Sequence, residues 1–174
     1  MLIDGMIKAA LLDVAFYDKI EKDLKATTQA LYVVLIVSLA GGISGAISSP
    51  RNSIPALVGG ILFGVLGWVV WSLVTYFIGT RVFNGQATPG ELLRCVGFAN
   101  SPDVLRILGF VPVLGGLVVM VAGIWSLVAG VVAVRQALEI DTTKAILTVV
   151  LGWVAMLLIG VVLAILGLGG LLSL

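Results

Sequence analysis

Six polar residues in one otherwise apolar stretch have the chemistry to form a site. They are Glu91, Arg94, Asn100, Ser101, Asp103 and Arg106. Glu91 with Arg94, and Asp103 with Arg106, have the three-residue spacing at which helical side chains meet. An ionised group at membrane depth costs about 2.5–3.5 kcal/mol, so such groups face protein or water and tend to pair. The cluster predicts either a polar pathway or ion site, or two ion pairs beside a satisfied helix break, and we favour the ion pairs.

Residue types exclude most catalytic chemistry. Glu91 and Asp103 are twelve residues apart, about 18 Å along a helix, which is too far for the carboxylate pair of a hydrolase. The chain has no histidine and a single cysteine, Cys95, which excludes imidazole catalysis, imidazole-ligated metals and Cys-pair sites. A net charge of +1 gives nucleic-acid binding no support. We therefore expect no catalytic residue, no cofactor and no metal site, and a protein that is not an enzyme.

The composition is that of an integral membrane protein. Of 174 residues, 60% are hydrophobic and 11% are charged. Nine of the charged residues lie within residues 1–25. A soluble domain has about a quarter of its residues charged because its surface must be wetted. The remainder of this chain has too few polar side chains for that, so we expect it to lie in a lipid bilayer.

The apolar stretches predict an all-α, polytopic membrane helix bundle. Four uncharged stretches exceed the roughly 20 residues that a helix needs to span a bilayer. A fifth, shorter segment contains the polar cluster. We expect a transmembrane domain over residues 26–174, preceded by a separate segment, 1–25. The predicted spans are about 26–48, 54–79, 89–110, 113–134 and 143–172.

The third predicted span is interrupted. Thr88-Pro89-Gly90-Glu91 has the pattern of a capping box, which begins a helix. Ser101-Pro102-Asp103 repeats a helix-start pattern within the same span. Pro102 lacks a backbone N–H and clashes with the preceding turn. We expect a helix break at Ser101-Pro102, between segments Pro89–Asn100 and Pro102–Phe110.

The segment before the first span predicts one amphipathic helix over residues 1–25. Its apolar face contains Ile3, Met6, Ile7, Ala10, Val14 and Tyr17, and its lysines lie opposite. A helix lying along the membrane surface fits this pattern, and a helix packed on a partner subunit fits it nearly as well.

The distribution of lysine and arginine predicts the orientation. With five crossings, seven of these residues share the side of the N-terminus: Lys8, Lys19, Lys22, Lys25, Arg81, Arg135 and Lys144. The opposite side has Arg51, joined at most by Arg106. The positive-inside rule then places the N-terminus in the cytoplasm and the C-terminus outside. Four crossings would put Arg135 and Lys144 on the wrong side.

Small residues one helical turn apart predict close helix packing. The candidate packing faces are Gly41 with Gly45, Gly60 with Gly64, Ser126 with Gly130, and Gly160 with Ala164. Small faces let helices approach closely in lipid, where van der Waals packing holds them together. Packing within the bundle and packing against another protein or another copy both fit, and we favour the first.

The order of these elements resembles the Yip domain, a family named for membrane proteins that interact with Rab-type (Ypt) GTPases, and specifically its short prokaryotic branch. Three stretches carry the resemblance: 14–42, 67–85 and 91–137. The most specific is Phe98 followed by Asn-Ser-Pro and then Pro112 before glycines. The resemblance implies five transmembrane helices with a cytoplasmic N-terminus. The DLYGP-type motif of eukaryotic members is absent, so we do not expect a Rab-type GTPase as a partner.

Function is predicted from these features together. We expect a non-enzymatic membrane protein that acts through helix–helix contacts as an adaptor, scaffold or accessory subunit. Its expected partners are the lipid bilayer and other membrane proteins or copies of itself, with no nucleic acid. The expected location is the prokaryotic cytoplasmic (inner) membrane. Two alternatives are a small transporter or channel that uses the broken third helix, and a membrane-shaping or trafficking-type protein.

Overall fold

Four long apolar helices dominate the computed structural model, which describes residues 2–48 and 53–165. They are α3 (Ala26–Ser48), α4 (Ser53–Phe83), α6 (Leu114–Ala137) and α7 (Thr142–Ile165). Each contains a stretch that is long and apolar enough to cross a membrane. The prediction of an all-helical fold is confirmed, since every regular element within the described ranges is a helix. Of the predicted last span, residues 166–172 lie outside the described residues.

Two shorter helical segments occupy the position of the third predicted span. They are α5 (Pro89–Ala99) and a 3-10 helix (Ser101–Phe110). At one end, the backbone N–H of Gln86 donates to the Leu138 carbonyl just after α6. At the other end, Gly109 lies against Ser44 of α3 and Val119 of α6. The two segments together therefore run along the bundle, antiparallel to α6.

The length of this run depends on its 3-10 part. A 3-10 helix rises about 2.0 Å per residue, against about 1.5 Å for an α-helix. Its ten residues therefore cover about 20 Å, where an α-helix would cover about 15 Å. The wider rise lets a short segment reach from the level of Asn100 to the far end of α3.

The long helices and the 3-10 helix form a ring. Around it, α3 packs against α4, α4 against α7, α7 against α6, α6 against the 3-10 helix, and the 3-10 helix against α3. Helix α5 packs against α3, α4 and α6. It fills one end of the ring, where Leu92, Cys95 and Phe98 are fully buried. The ring is thus closed at this end by a packed apolar layer.

The N-terminal segment forms two helices, so the prediction of one continuous helix is wrong. They are α1 (Leu2–Ala10) and α2 (Val14–Lys22). The chain turns at Leu12, which has a φ of 61°, and Asp13 caps α2 by accepting a hydrogen bond from the Phe16 N–H. The turn breaks the single helical wheel on which the prediction rested.

Both N-terminal helices pack on the closed end of the ring. Tyr17 is fully buried and donates a hydrogen bond to the Ala9 carbonyl. The indole N–H of Trp125 on α6 donates to the Ala10 carbonyl at 2.7 Å. In contrast, Ile3 and Ile7 on α1 are 72% and 54% exposed. The predicted apolar face is therefore divided between the bundle and the surroundings.

Candidate functional site

The helix interruption is satisfied by side chains next to it. Pro102 has no N–H to donate to the carbonyl four residues earlier, which belongs to Phe98. The Ser101 hydroxyl donates to that Phe98 carbonyl at 2.6 Å instead. Asn100 Nδ2 donates to the Val96 carbonyl at 2.8 Å. Asn100 and Ser101 therefore replace backbone hydrogen bonds at the point where α5 ends.

Glu91 belongs to the start of α5. The predicted capping box is confirmed, because the Thr88 hydroxyl accepts from the Glu91 N–H and the Glu91 carboxylate accepts from the Thr88 N–H at 2.9 Å. The predicted ion pair with Arg94 is wrong: none of the ion pairs in residues 2–48 and 53–165 joins these two side chains. Local capping geometry takes the Glu91 carboxylate away from its neighbour.

Arg94 instead binds the end of α2. It is buried, and its Nε donates to the carbonyls of Ile20 at 3.1 Å and Glu21 at 3.0 Å. Its terminal nitrogens donate to the Glu21 carbonyl and to the Thr27 hydroxyl. A cation at the C-terminal end of a helix is stabilised by the carbonyls exposed there. Arg94 thus fastens the N-terminal helices to α5.

The second predicted ion pair is confirmed. Arg106 Nε lies 2.8 Å from Asp103 Oδ1. The Asp103 side chain is 9% exposed, while that of Arg106 is 44% exposed. Both residues lie on the 3-10 helix and line the same cavity, with the carboxylate more buried than the guanidinium. Four of the six predicted polar residues therefore remain together at the break, and Glu91 and Arg94 do not join them.

A half-enclosed cavity of about 780 Å³ lies inside the ring. Its polar lining comes from Asn100, Asp103, Arg106 and Ser126, with two further hydroxyls from Ser38 and Ser44 on α3. Most of the remaining lining is apolar, from α3, α4, α6 and α7, and includes Trp71, Trp153 and Met156. A largely apolar pocket with a few convergent polar groups is the usual form of a small-molecule site. This cavity is the candidate functional site.

The predicted small-residue faces have different roles in the structure. Gly60 and Gly64 pack on α3, where a Cβ at Gly64 would lie 1.9 Å from the Ser38 hydroxyl oxygen. Gly41 and Gly130 line the cavity, and a Cβ at either would meet no described atom within 4 Å. Gly160 on α7 is equally open. Gly45 lies on α3, and the side chain of Ala164 lies outside the described residues.

Sequence reasoning missed the apolar half of the cavity. Trp71, Trp153 and Met156 come from α4 and α7, which are far apart in the chain. Aromatic and methionine residues in an apolar span carry no local signal that separates a cavity lining from ordinary packing. Only the order of helices around the ring brings these residues together.

Comparison with known protein families agrees with this architecture. The family model of the Yip1 domain matches residues 12–171, nearly the whole described bundle. The chain belongs to the Yip1-domain family. Yip1-domain proteins are in general membrane-associated and non-catalytic. No curated protein and no solved structure matches the chain. The match extends from α2 through α7, so the broken segment and the cavity both lie within the Yip1 domain.

Proposed function

We propose that this Yip1-domain protein is a non-enzymatic, five-crossing protein of a prokaryotic cytoplasmic membrane. The N-terminus lies in the cytoplasm and the C-terminus outside. The antiparallel run of α5 and the 3-10 helix beside α6 supports a fifth crossing. The excess of lysine and arginine on the side of α1 and α2 supports the orientation. In this arrangement α1 lies at the bilayer surface with Ile3 and Ile7 towards lipid.

The proposed role is that of an adaptor or accessory subunit that binds another membrane protein through α7. The observation that carries this role is the open end of that helix. Leu157, Leu158 and Val161 are 68%, 60% and 55% exposed, and Gly160 between them has no described atom within 4 Å of a Cβ position. A glycine on a free helix face lets a second transmembrane helix approach closely. The first turns of α7, in contrast, are packed at Ala145, Thr148 and Val149.

Site-specific photo-crosslinking tests this role. A photo-reactive residue replaces Leu157 on α7 or, as the matched control, Leu62 on α4, which is 56% exposed. We expect a discrete protein adduct from position 157 in native membranes and none from position 62. Adducts at the molecular weight of two copies identify self-association instead of an accessory role. Absence of any protein adduct at position 157 would contradict the proposal.

A transporter is the second candidate, and the cavity is the observation that favours it. The buried layer of Leu92, Cys95 and Phe98 closes one end of the ring, so transport requires α5 to move. Flux into reconstituted vesicles, compared between the native protein and the double variant Asp103→Asn with Arg106→Gln, tests this candidate. Equal flux through both, at the level of empty vesicles, would eliminate it.

A further inference from the structure

The cavity inside the ring has a polar side and an apolar side. On the polar side, Asn100, Asp103 and Arg106 come from the helix break and the 3-10 helix, and Ser126 comes from α6; Ser38 and Ser44 add hydroxyls from α3. On the apolar side, Trp71, Trp153 and Met156 come from α4 and α7, across the ring from the 3-10 helix. This division matches a molecule that has a polar head and an apolar tail. A small hydrophilic solute would leave most of the lining without a complementary partner.

Arg106 has hydrogen-bonding capacity that the protein does not use. Its Nε donates to Asp103, and its terminal nitrogens have no hydrogen-bond acceptor in residues 2–48 and 53–165. A guanidinium presents its N–H groups as a planar fork that matches two phosphate oxygens. The unused donors therefore point to a phosphate group.

The charge on the polar side of the cavity is balanced. Asp103 neutralises Arg106 across the 2.8 Å ion pair, so an inorganic anion gains no net attraction. A headgroup with one phosphate and one ammonium complements both members of the pair, with the phosphate on Arg106 and the ammonium on Asp103. Zwitterionic phospholipids have this chemistry.

The cavity is also accessible from the side where bilayer lipid would lie. A second, smaller cavity of about 280 Å³ is lined by Trp71, Trp153, Met156 and Leu157 and shares the first three with the main cavity. It lies between α4 and α7, and Leu157 is 68% exposed. An acyl chain can leave the main cavity along this path and remain in apolar surroundings.

The size of the cavity suits a small molecule. Its volume of about 780 Å³ falls within the roughly 300–1,000 Å³ range of small-molecule pockets. A headgroup with part of its acyl chains occupies a space of this size.

We propose that the cavity binds one zwitterionic phospholipid. Its phosphate pairs with Arg106, its ammonium lies beside Asp103, and an acyl chain passes between Trp71 and Trp153 towards the bilayer. Lipid binding does not require a partner at α7, although Leu157 both lines the acyl-chain path and lies on the proposed partner face.

Native mass spectrometry of the full-length protein, purified in mild detergent, tests the proposal. We expect one retained phospholipid on the native protein. Gly130→Leu fills the cavity and should reduce retention at least tenfold. Gly116→Leu is the matched control, because Gly116 lies on the same helix, is equally open and does not line the cavity. Equal retention by the two variants, or no retained lipid on the native protein, would overturn the proposal.

A second measurement separates the headgroup from free phosphate. Delipidated protein is incubated with mixed micelles that contain phosphatidylethanolamine or phosphatidylglycerol, with or without excess inorganic phosphate. We expect preferential uptake of phosphatidylethanolamine, no displacement by inorganic phosphate, and at least tenfold weaker uptake by Arg106→Gln. Arg106→Lys, which keeps the charge and loses the fork, should fall between these limits. Displacement by inorganic phosphate, or uptake unaffected by Arg106→Gln, would show that Arg106 does not bind a lipid headgroup.

Discussion

Arg94 joins the N-terminal helices to the bundle, so its removal should separate them. Arg94→Met keeps an apolar stem and removes the donors to the Ile20 and Glu21 carbonyls. Hydrogen bonds from a charged donor contribute about 1.5–3 kcal/mol each, and we expect a loss of stability on the order of 3 kcal/mol. Hydrogen exchange should accelerate in α2 (Val14–Lys22) before the long helices. Arg81→Met, at an exposed arginine, is the control, and equal exchange in both variants would contradict this role.

Glu21 should make stability depend on pH. Burial raises the pKa of its carboxyl above the ordinary value, and the ion pair with Lys22 opposes this shift. Its Oε2 is buried without a hydrogen-bond partner in the described ranges. When the pKa is higher in the folded state, the stabilisation is complete below the unfolded pKa, about 4.3, and is lost as pH rises through the raised value.

Glu21→Gln tests this directly. The neutral amide removes the cost of ionising a buried carboxyl, so we expect a higher melting temperature than the native protein at pH 7. The difference should shrink as pH falls towards about 4.3. Thermal unfolding at a series of pH values measures it, with Glu139→Gln as the exposed control. If the Glu21→Gln variant is less stable than the native protein at pH 7, the ionised carboxylate stabilises the folded state and the prediction is wrong.

At the scale of elements, the contact between α3 and α4 depends on Gly60 and Gly64. A Cβ at Gly64 would lie 1.9 Å from Ser38 Oγ and 2.9 Å from Ser38 Cβ, so rotation of the hydroxyl alone cannot make room. Gly64→Ala should therefore force the helices apart and cost about 1–3 kcal/mol. Gly67→Ala is the matched control on the same helix, where a Cβ meets nothing within 4 Å. It should be neutral or stabilising by up to about 1 kcal/mol, as measured by unfolding in micelles.

The break between α5 and the 3-10 helix shows what local sequence can specify. Thr88 and Glu91 form a capping box because both partners lie within one turn, so a short motif is sufficient to predict it. Asp103 and Arg106 pair for the same reason. Glu91 and Arg94 have the same three-residue spacing as Asp103 and Arg106, yet Arg94 binds carbonyls more than 70 residues away in the chain. Spacing identifies possible pairs, and tertiary contacts decide which of them form.

At the scale of the whole molecule, composition and span length predicted the all-helical membrane bundle, because solvation by lipid leaves a strong compositional signal. The ring of helices and its cavity were not predictable in this way. Gly130 and Gly64 both line the cavity, yet a Cβ at Gly130 would meet nothing within 4 Å, whereas one at Gly64 would clash with Ser38 of α3. That difference depends on which helices become neighbours. The turn at Leu12 was missed because leucine has no intrinsic preference for the left-handed backbone conformation that it adopts there.

The number of membrane crossings can be tested at two loops of this molecule. Gln86 precedes α5 and Val113 follows the 3-10 helix, and both are exposed, Val113 to 96%. With five crossings these residues lie on opposite sides of the membrane, whereas with four they share the cytoplasmic side. Native Cys95 is fully buried, so the unmodified chain should give little background with a thiol reagent.

We expect a membrane-impermeant maleimide to label Val113→Cys in intact cells. Gln86→Cys and Lys19→Cys, at an exposed position of α2, should react only after permeabilisation. The reason is the length of the segment between Gln86 and Val113. Its 11 residues of α5 and ten residues of the 3-10 helix rise about 36 Å in total, which is enough to cross a hydrocarbon core of about 30 Å. If Gln86→Cys and Val113→Cys react under the same condition, α5 and the 3-10 helix form a re-entrant segment, and the C-terminus faces the cytoplasm.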